Sequence, residues 1–502
     1  MQVASQRLSN AQIQTSAHQF ARWLDAADIP RRGVVATLLP NIPEFLYVLR
    51  GTTWSGRTFT PINWHLSTND IEYILKNSEA CAIVLHRDFI EHLPLITTII
   101  EPKTCLVIDS ASRSDIHLSD FDNTLLRYST APLDQPIAGT IMMYTSGTTG
   151  RPKGVTPAII SHEQPPCFTS KMGSLMLETS LPQQADGTHL IAAPLYHAAP
   201  STYGEGAALL GADIVIMEHW DAEGFLQLVE SEQIVSTFLV PTQIVRLLQL
   251  PDQIKQNYNL SSLQLICHGA APIPQAIKHQ AIEWLGPILF EFYGGTEGGG
   301  VSINSHDWLD HPGSVGKPRP GLQVFIFDEH GQPCETGTAG DVYFATEDGS
   351  GFSYKDDPEK TANSYRDNKY TLGDIGYLDH EGYLYLCDRK ADTIISGGVN
   401  IYPAQIESAL LAHTAVLDCC VVGIIDNEWG EYVFAAIQLK NPNNQHDDMR
   451  HELMAHCEKT LARFQLPREL VFTEKLPRTA AGKLLRRKVR DHYRALRSSP
   501  NP

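Results

Sequence analysis

Apolar residues in the first third of the chain alternate between two spacings. Over residues 10–26 they recur every three to four positions, which lines one face of a helix, and residues 43–55 read the same way. Residues 33–39 and 82–85 are instead short apolar runs of the kind that fill a buried strand. Such alternation predicts βα units around a largely parallel sheet. A further apolar run over residues 139–144 reads as a strand that feeds directly into a loop of hydroxyls and glycines. A second alternating block follows, with strands expected over 191–194, 235–240 and 288–293 and helices over 222–232 and 275–285.

From residue 313 to 388 the pattern changes to short β-like runs, 322–328 and 340–345 among them, separated by Gly, Asp and Pro. That pattern predicts a small antiparallel sheet or barrel-like unit. Beyond it we expect a loop over 396–403, a helix from Ala404 with Pro403 in its first turn, a buried strand over 419–425 and a helix over 447–463. A domain boundary is expected near Arg389, dividing the chain into residues 1–388 and 389–502. The fold class is α/β: a large N-terminal domain of βα-layered sheets with a small β-barrel-like subdomain, then a small α+β C-terminal domain.

Composition narrows the functional classes. The 502 residues carry a formal net charge of −18, which argues against nucleic acid as a partner. Nine scattered cysteines without a CxxC pair read as reduced thiols and not as a disulfide framework or zinc site. The first residues lack a charged stretch followed by an apolar one, and no stretch of 18 consecutive apolar residues occurs. These features together predict a cytoplasmic enzyme with no transmembrane segment.

The candidate chemistry begins with the loop Thr145, Ser146, Gly147, Thr148, Thr149 and Gly150, followed by Lys153. Small residues let the backbone wrap a polyphosphate, hydroxyls and N–H groups donate to its oxygens, and a lysine neutralises charge. Lys153 lies between proline and glycine, so the loop is not a Walker A sequence. A second segment, Tyr293-Gly294-Gly-Thr296-Glu297, is expected at the end of another strand. Glu297 is the candidate carboxylate for a magnesium ion bridging phosphates, with Thr148 as a second metal ligand. Thr296 can donate to a phosphate, and Tyr293 offers a flat face to a base. Asp374 and Arg389 bracket a β-like stretch, and an aspartate accepting from two vicinal hydroxyls is a usual grip on ribose. Near the C-terminus Lys483 stands on a loop, where a cation can stabilise charge developing on an α-phosphate. The basic run 484–488 after it reads equally as a solvated helix face or as a contact for the phosphates of coenzyme A.

Two apparent motifs fail on spacing. His451 and His456 are five residues apart and diverge on a helix, unlike a zinc-binding i, i+4 pair. Ser146 has no Gly-x-Ser-x-Gly context, so a serine hydrolase is unsupported.

In this order and at these separations, the segments resemble the adenylate-forming superfamily of acyl-CoA synthetases, luciferases and peptide-synthetase adenylation domains. The resemblance extends from about residue 8 to residue 490. It rests on the phosphate loop, residues 194–197, 293–297, 371–374, 388–390 and 396–403, and the Pro477 to Lys483 loop. It implies that a carboxylate attacks the α-phosphate of Mg-ATP to give acyl-AMP, with Lys483 as the catalytic lysine. The small C-terminal domain is then implied to be mobile, replacing Lys483 with the 396–400 segment, Gly397 and Gly398 included, so that a thiol attacks the anhydride. Asp374 and Arg389 are thereby assigned to ribose, Tyr293 to adenine, Glu297 to magnesium, and His197 to the wall between acyl and thiol sites. One departure concerns the family's pivot, two residues after the arginine, commonly Asp or Lys and here Ala391.

Within the superfamily the motifs are most similar to those of fatty-acyl and related CoA ligases. Gly269, Ala270 and Ala271, with the glycines at 298–300, leave room for an acyl chain if they line its pocket. The implied reactants are ATP, Mg2+, coenzyme A and a hydrophobic carboxylic acid. A carrier-protein thiol as acceptor, or a catalytically silent binding protein, are the alternatives, and the oligomeric state stays open, a homodimer included.

Overall fold

The computed structural model describes residues 5–109, 119–145, 151–157, 187–347, 349, 351–397, 399–426, 429–444, 447–478 and 484–498. It is α/β, and the chain gathers into two compact units. The first comprises Met1–Ala270, Leu285–Gly300 and Thr346–Arg366; the second comprises Ala271–Trp284, Val301–Ala345 and Asp367–Pro502.

In the first unit, six parallel strands run in the order Ser119–Asp120, Cys105–Ile108, Ala80–His86, Val34–Leu38, Thr58–Pro61 and Thr140–Ile141. Val34–Leu38 lies in the middle and is buried along its whole length, which is why its sequence is a continuous apolar run and not an alternating one. A second sheet runs parallel through Asp213–Met217, Thr188–Ile191, Ile234–Leu239, Leu265–His268 and Leu289–Gly295, with Ser5–Leu8 added antiparallel at its edge. The helix Asn10–Ala26 starts where expected because Ser9 and Gln12 form a reciprocal capping box. Its apolar stripe, Ile13, Phe20 and Leu24 included, is fully buried. Arg50, on helix Pro43–Trp54, makes a two-pronged buried ion pair with Glu205 on helix Ala198–Leu209, at 2.8 and 3.0 Å. Removing either partner would leave a buried charge uncompensated, a loss of about 3–5 kcal/mol.

The single strand expected over 139–144 is instead two. Thr140–Ile141 ends the parallel sheet; after Met142, Met143–Thr145 joins a separate antiparallel sheet with Lys153–Pro157 and Phe352–Tyr354. Along this run the side chains alternate between two cores: Ile141 and Met143 face one, Met142 the other. Phe352–Tyr354 belongs to a segment that returns to this unit from the middle of a stretch read as one antiparallel sheet.

The second unit holds the expected antiparallel sheet, ordered Ser314–Pro318, Leu384–Arg389, Lys369–Leu378, Gly340–Thr346 and Leu322–Phe327. Towards the C-terminus, Val416–Asp426 and Gly430–Leu439 form a long antiparallel pair, with Glu469–Phe472 parallel to the latter. Helices Pro403–Leu411 and Asp447–Cys457 cover one face through Ile406, Leu410, Met449 and Leu453. Helix Arg486–Ser498 contributes Val489 to the other core. Two expectations are corrected here. Residues 396–403 are not simply a loop, because Ile394–Ser396 and Val399–Ile401 pair antiparallel with Ile394 and Ile401 buried. The helix expected to reach 463 stops at Cys457, the last buried position of its stripe; Glu458, Lys459 and Thr460 are exposed and have nothing to cover.

Candidate active site

In the first unit the three-stranded sheet brings together motifs far apart in the chain. Thr145 ends one strand and pairs in register with Lys153 on the next, so the phosphate-loop segment joins two hydrogen-bonded neighbours. Ser146, Gly147, Thr148, Thr149 and Gly150 lie outside the described residues. The Lys153 ammonium donates to Asp357 Oδ2 at 2.7 Å and holds that carboxyl below its usual range. Asp357 also caps helix Pro358–Asn363 by accepting from the Lys360 N–H at 3.0 Å.

Glu297 reaches the same sheet from elsewhere in the sequence. The chain turns at Thr296 and Glu297 between strands Leu289–Gly295 and Gly298–Asn304. Gly298, Gly299 and Gly300 all have φ between +96° and +137°, a region closed to ordinary side chains, so this run of glycines is a backbone requirement. Tyr354 donates its hydroxyl to Glu297 Oε1 at 2.9 Å. Tyr293 and Gly294 lie in the strand just before the turn, partly exposed. Gly269 follows strand Leu265–His268, where a Cβ would come within 2.4 Å of the Phe292 carbonyl oxygen. Ala270, next to it, has a φ of +67° although it is not glycine. His197 immediately precedes helix Ala198–Leu209, without a side-chain capping bond, and sits half-buried with its ring 4.5 Å from that of Tyr196, whose hydroxyl burial pushes up to about 12.

The second unit holds the other candidates, Ala271 among them. Asp374 and Arg389 are direct register partners on adjacent antiparallel strands, and Arg389 Nε lies 3.0 Å from Asp374 Oδ1. Asp374 is buried and Arg389 about half exposed, so the carboxylate is fixed by the sheet and oriented by a cation at its rim. Gly397 has φ +57° and donates its N–H to the Trp429 carbonyl at 2.8 Å. Gly398 and Lys483 lie outside the described residues.

The segments on either side of Lys483 are tied to one another. Arg478 and Leu484 form an antiparallel bridge, and Leu485 N–H bonds the Pro477 carbonyl at 2.9 Å. Arg478 is paired with Asp418 at 2.6 Å. Arg486 is paired with Glu407, which also accepts from the Val421 N–H at 2.8 Å. Burial drives the Glu407 carboxyl up to about 7 against the opposing pull of Arg486. Neither pair was singled out from the sequence, which marks the basic run 484–488 but not its partners. Among the described residues, His451 and His456 bond separate backbone carbonyls, of Asp447 and Ala409, in keeping with their divergent spacing.

The donor set suits magnesium. Glu297 offers a hard carboxylate beside the phosphate-loop strand, already oriented by Tyr354. No group of three or more His, Cys, Asp or Glu that could hold a metal occurs among the described residues.

Residues 2–349 match the family model described as AMP-binding enzyme, and residues 405–483 match that of the AMP-binding enzyme C-terminal domain. The chain is 30% identical over 490 residues to an indoleacetate–CoA ligase of Aromatoleum aromaticum, covering 96% of this chain and 92% of the relative. It is also 30% identical over 498 residues to the long-chain-fatty-acid–CoA ligase FadD13 of Mycobacterium tuberculosis, covering 97% and 94%. Among solved structures, ATP-bound MatB from Rhodopseudomonas palustris superposes with a TM-score of 0.82 at 25% identity, covering 97% of this chain and 93% of that one.

Proposed function

The chain belongs to the AMP-binding enzyme family and is an ATP-dependent acyl-CoA synthetase working through acyl-AMP; from that premise we propose that its substrate is a hydrophobic carboxylic acid, fatty or related, and that the residues above divide the work as follows. The observation that carries the site assignment is the convergence of Lys153 and Glu297 on the segment around Tyr354 and Asp357.

In the first half-reaction a carboxylate oxygen bonds to the α-phosphorus of ATP. The bond to the β-phosphate oxygen breaks, and its electron pair leaves with pyrophosphate. The phosphate loop with Lys153 binds the β- and γ-phosphates, and Lys483 offsets charge at the α-phosphorus. Glu297 and Thr148 would hold magnesium, which supplies charge neutralisation along the triphosphate. Asp374 and Arg389 hold the ribose, and Tyr293 and Gly294 lie along the adenine. In the second half-reaction the thiol of coenzyme A adds to the acyl carbonyl and AMP departs. His197 stands at the wall between acid and thiol, and Gly397 and Gly398 serve the thiol-transfer arrangement. Gly269, Ala270 and Ala271 leave space beside the acid. We retain a division at Arg389 between an N-terminal domain and a mobile C-terminal domain, with Ala391 at the pivot. We also assign the enzyme to the cytoplasm, in keeping with its eight described cysteines, all free thiols. No described helix is long and apolar enough to cross a membrane.

The reading is tested by CoA-dependent pyrophosphate release across a panel of fatty, aryl and steroid-type acids. At least one apolar acid should support turnover well above a short polar acid. If acyl-AMP accumulates with every acid while coenzyme A has no effect, a carrier-protein thiol replaces coenzyme A as the acceptor.

A further inference from the structure

Lys360 was not among the residues the sequence pointed to, yet it stands inside the phosphate-side group. Its ammonium lies 4.0 Å from the centroid of the Tyr354 ring, and the Lys153 ammonium lies 5.9 Å from the same centroid. Two cations therefore share one aromatic ring, whose hydroxyl is committed to Glu297. They differ in their counter-charges. Lys153 is paired with Asp357 at 2.7 Å, and that carboxylate's other oxygen is used by the Lys360 backbone. The Lys360 side chain has no salt bridge among the described residues. Burial first, and then the charge of Lys153, push its ammonium below its usual pKa, while Glu297 and, after it, Asp357 pull the other way. Holding two like charges together over one ring costs energy in the free protein, and an anion placed between them recovers it.

We propose that Lys360 is a second phosphate-binding lysine, contacting the β- and γ-phosphates of ATP and the pyrophosphate they become, while Lys153 is anchored by Asp357. The inference rests on the acyl-adenylate reading above. It divides labour between the two lysines: Lys153 carries a direct ion pair to Asp357 beside the loop, and Lys360, with no salt bridge among the described residues, is left to meet an anionic ligand. Tyr354 couples the two sides by supporting both ammonium groups on its ring face and Glu297 at its hydroxyl. Release of pyrophosphate restores the unfavourable cation pair, so the pair holds the product as well as the triphosphate.

The test uses the full chain and inorganic pyrophosphate, with direct calorimetric binding as the first readout and ATP/pyrophosphate exchange as the second. Lys360→Met keeps an unbranched side chain over Tyr354 and removes only the charge. It should weaken pyrophosphate binding and raise the KM for ATP, each by about tenfold to a hundredfold, the range expected for one charge-assisted hydrogen bond. Thioester formation from synthetic acyl-AMP and coenzyme A, which involves no pyrophosphate, should stay within twofold, and this also reports on folding. Lys360→Arg should recover most of the affinity. A Lys360→Met protein that binds pyrophosphate within twofold of the parent overturns the inference and leaves Lys360 as cover for the ring. If the parent protein itself neither binds pyrophosphate nor exchanges it into ATP, the acyl-adenylate reading fails first.

Discussion

The two compact units hold their charged candidates in opposite ways. In the first unit the partners come from remote parts of the chain: Lys153 and Asp357 are 204 residues apart, and Tyr354 and Glu297 are 57 apart. In the second, Asp374 and Arg389 are 15 positions apart on neighbouring strands and face each other by register alone. A register pair is fixed once its two strands form, because the pleat alternates side chains between the faces. The remote group instead depends on residues 346–366 returning to the first unit, a loop closure that no local pattern announces.

The largest expected effect concerns a residue in neither set. Lys483→Ala should lower ATP/pyrophosphate exchange by about a hundredfold to a thousandfold, as for loss of one preorganised transition-state donor. Thioester formation from supplied acyl-AMP should remain within twofold. A variant with unchanged exchange would move the catalytic cation elsewhere and give the phosphate side of the chemistry to the first unit alone.

Next in size is a stability effect in the second unit. Arg486→Met removes the cation that opposes burial of Glu407, so the carboxyl takes up a proton, and the unfolding midpoint should fall near and above neutral pH more than at pH 5. The Glu407 carboxyl lies at about 7, above its ordinary value of 4.5. The folded form therefore holds this proton more tightly than the unfolded form. The resulting contribution to stability is fully present below pH 4.5 and is lost as the pH rises through about 7. Glu407→Gln should flatten that part of the stability profile, and adding it to Arg486→Met should recover part of the lost midpoint.

The smallest effects divide the register pair itself. Asp374→Ala removes a buried acceptor and should raise the KM for ATP about tenfold. Arg389→Ala removes a half-exposed partner and should raise it only about threefold. Equal effects in ATP titrations would mean that the two act as one unit and that exposure does not rank them.

The same contrast explains what could be read from the sequence. Helices Asn10–Ala26 and Gln275–Leu285 have the expected bounds because amphipathic spacing, and a capping box in the first case, are local signals. Asp374 and Arg389 were legible because their motifs flank one hairpin. Tyr354, Asp357 and Lys360 were not, since they gain importance only when the strand Phe352–Tyr354 pairs with Lys153–Pro157 and brings the following helix with it. The split at Met142 was hidden because a run facing two cores reads as one strand. Arg478 was visible only as part of the Pro477 to Lys483 loop and Arg486 only as part of the basic run, because Asp418 and Glu407 are brought to them by the sheet and by helix Pro403–Leu411.

Activation of the acid as an acyl-adenylate is tested most directly by oxygen transfer. The enzyme is given an accepted acid labelled with 18O in both carboxylate oxygens, together with ATP and coenzyme A, and the AMP and pyrophosphate are weighed by mass spectrometry. If a carboxylate oxygen attacks the α-phosphorus and the thiol later displaces AMP at the carbonyl, one labelled oxygen must leave with each AMP. Label in pyrophosphate, or in neither product while thioester forms, would contradict the account.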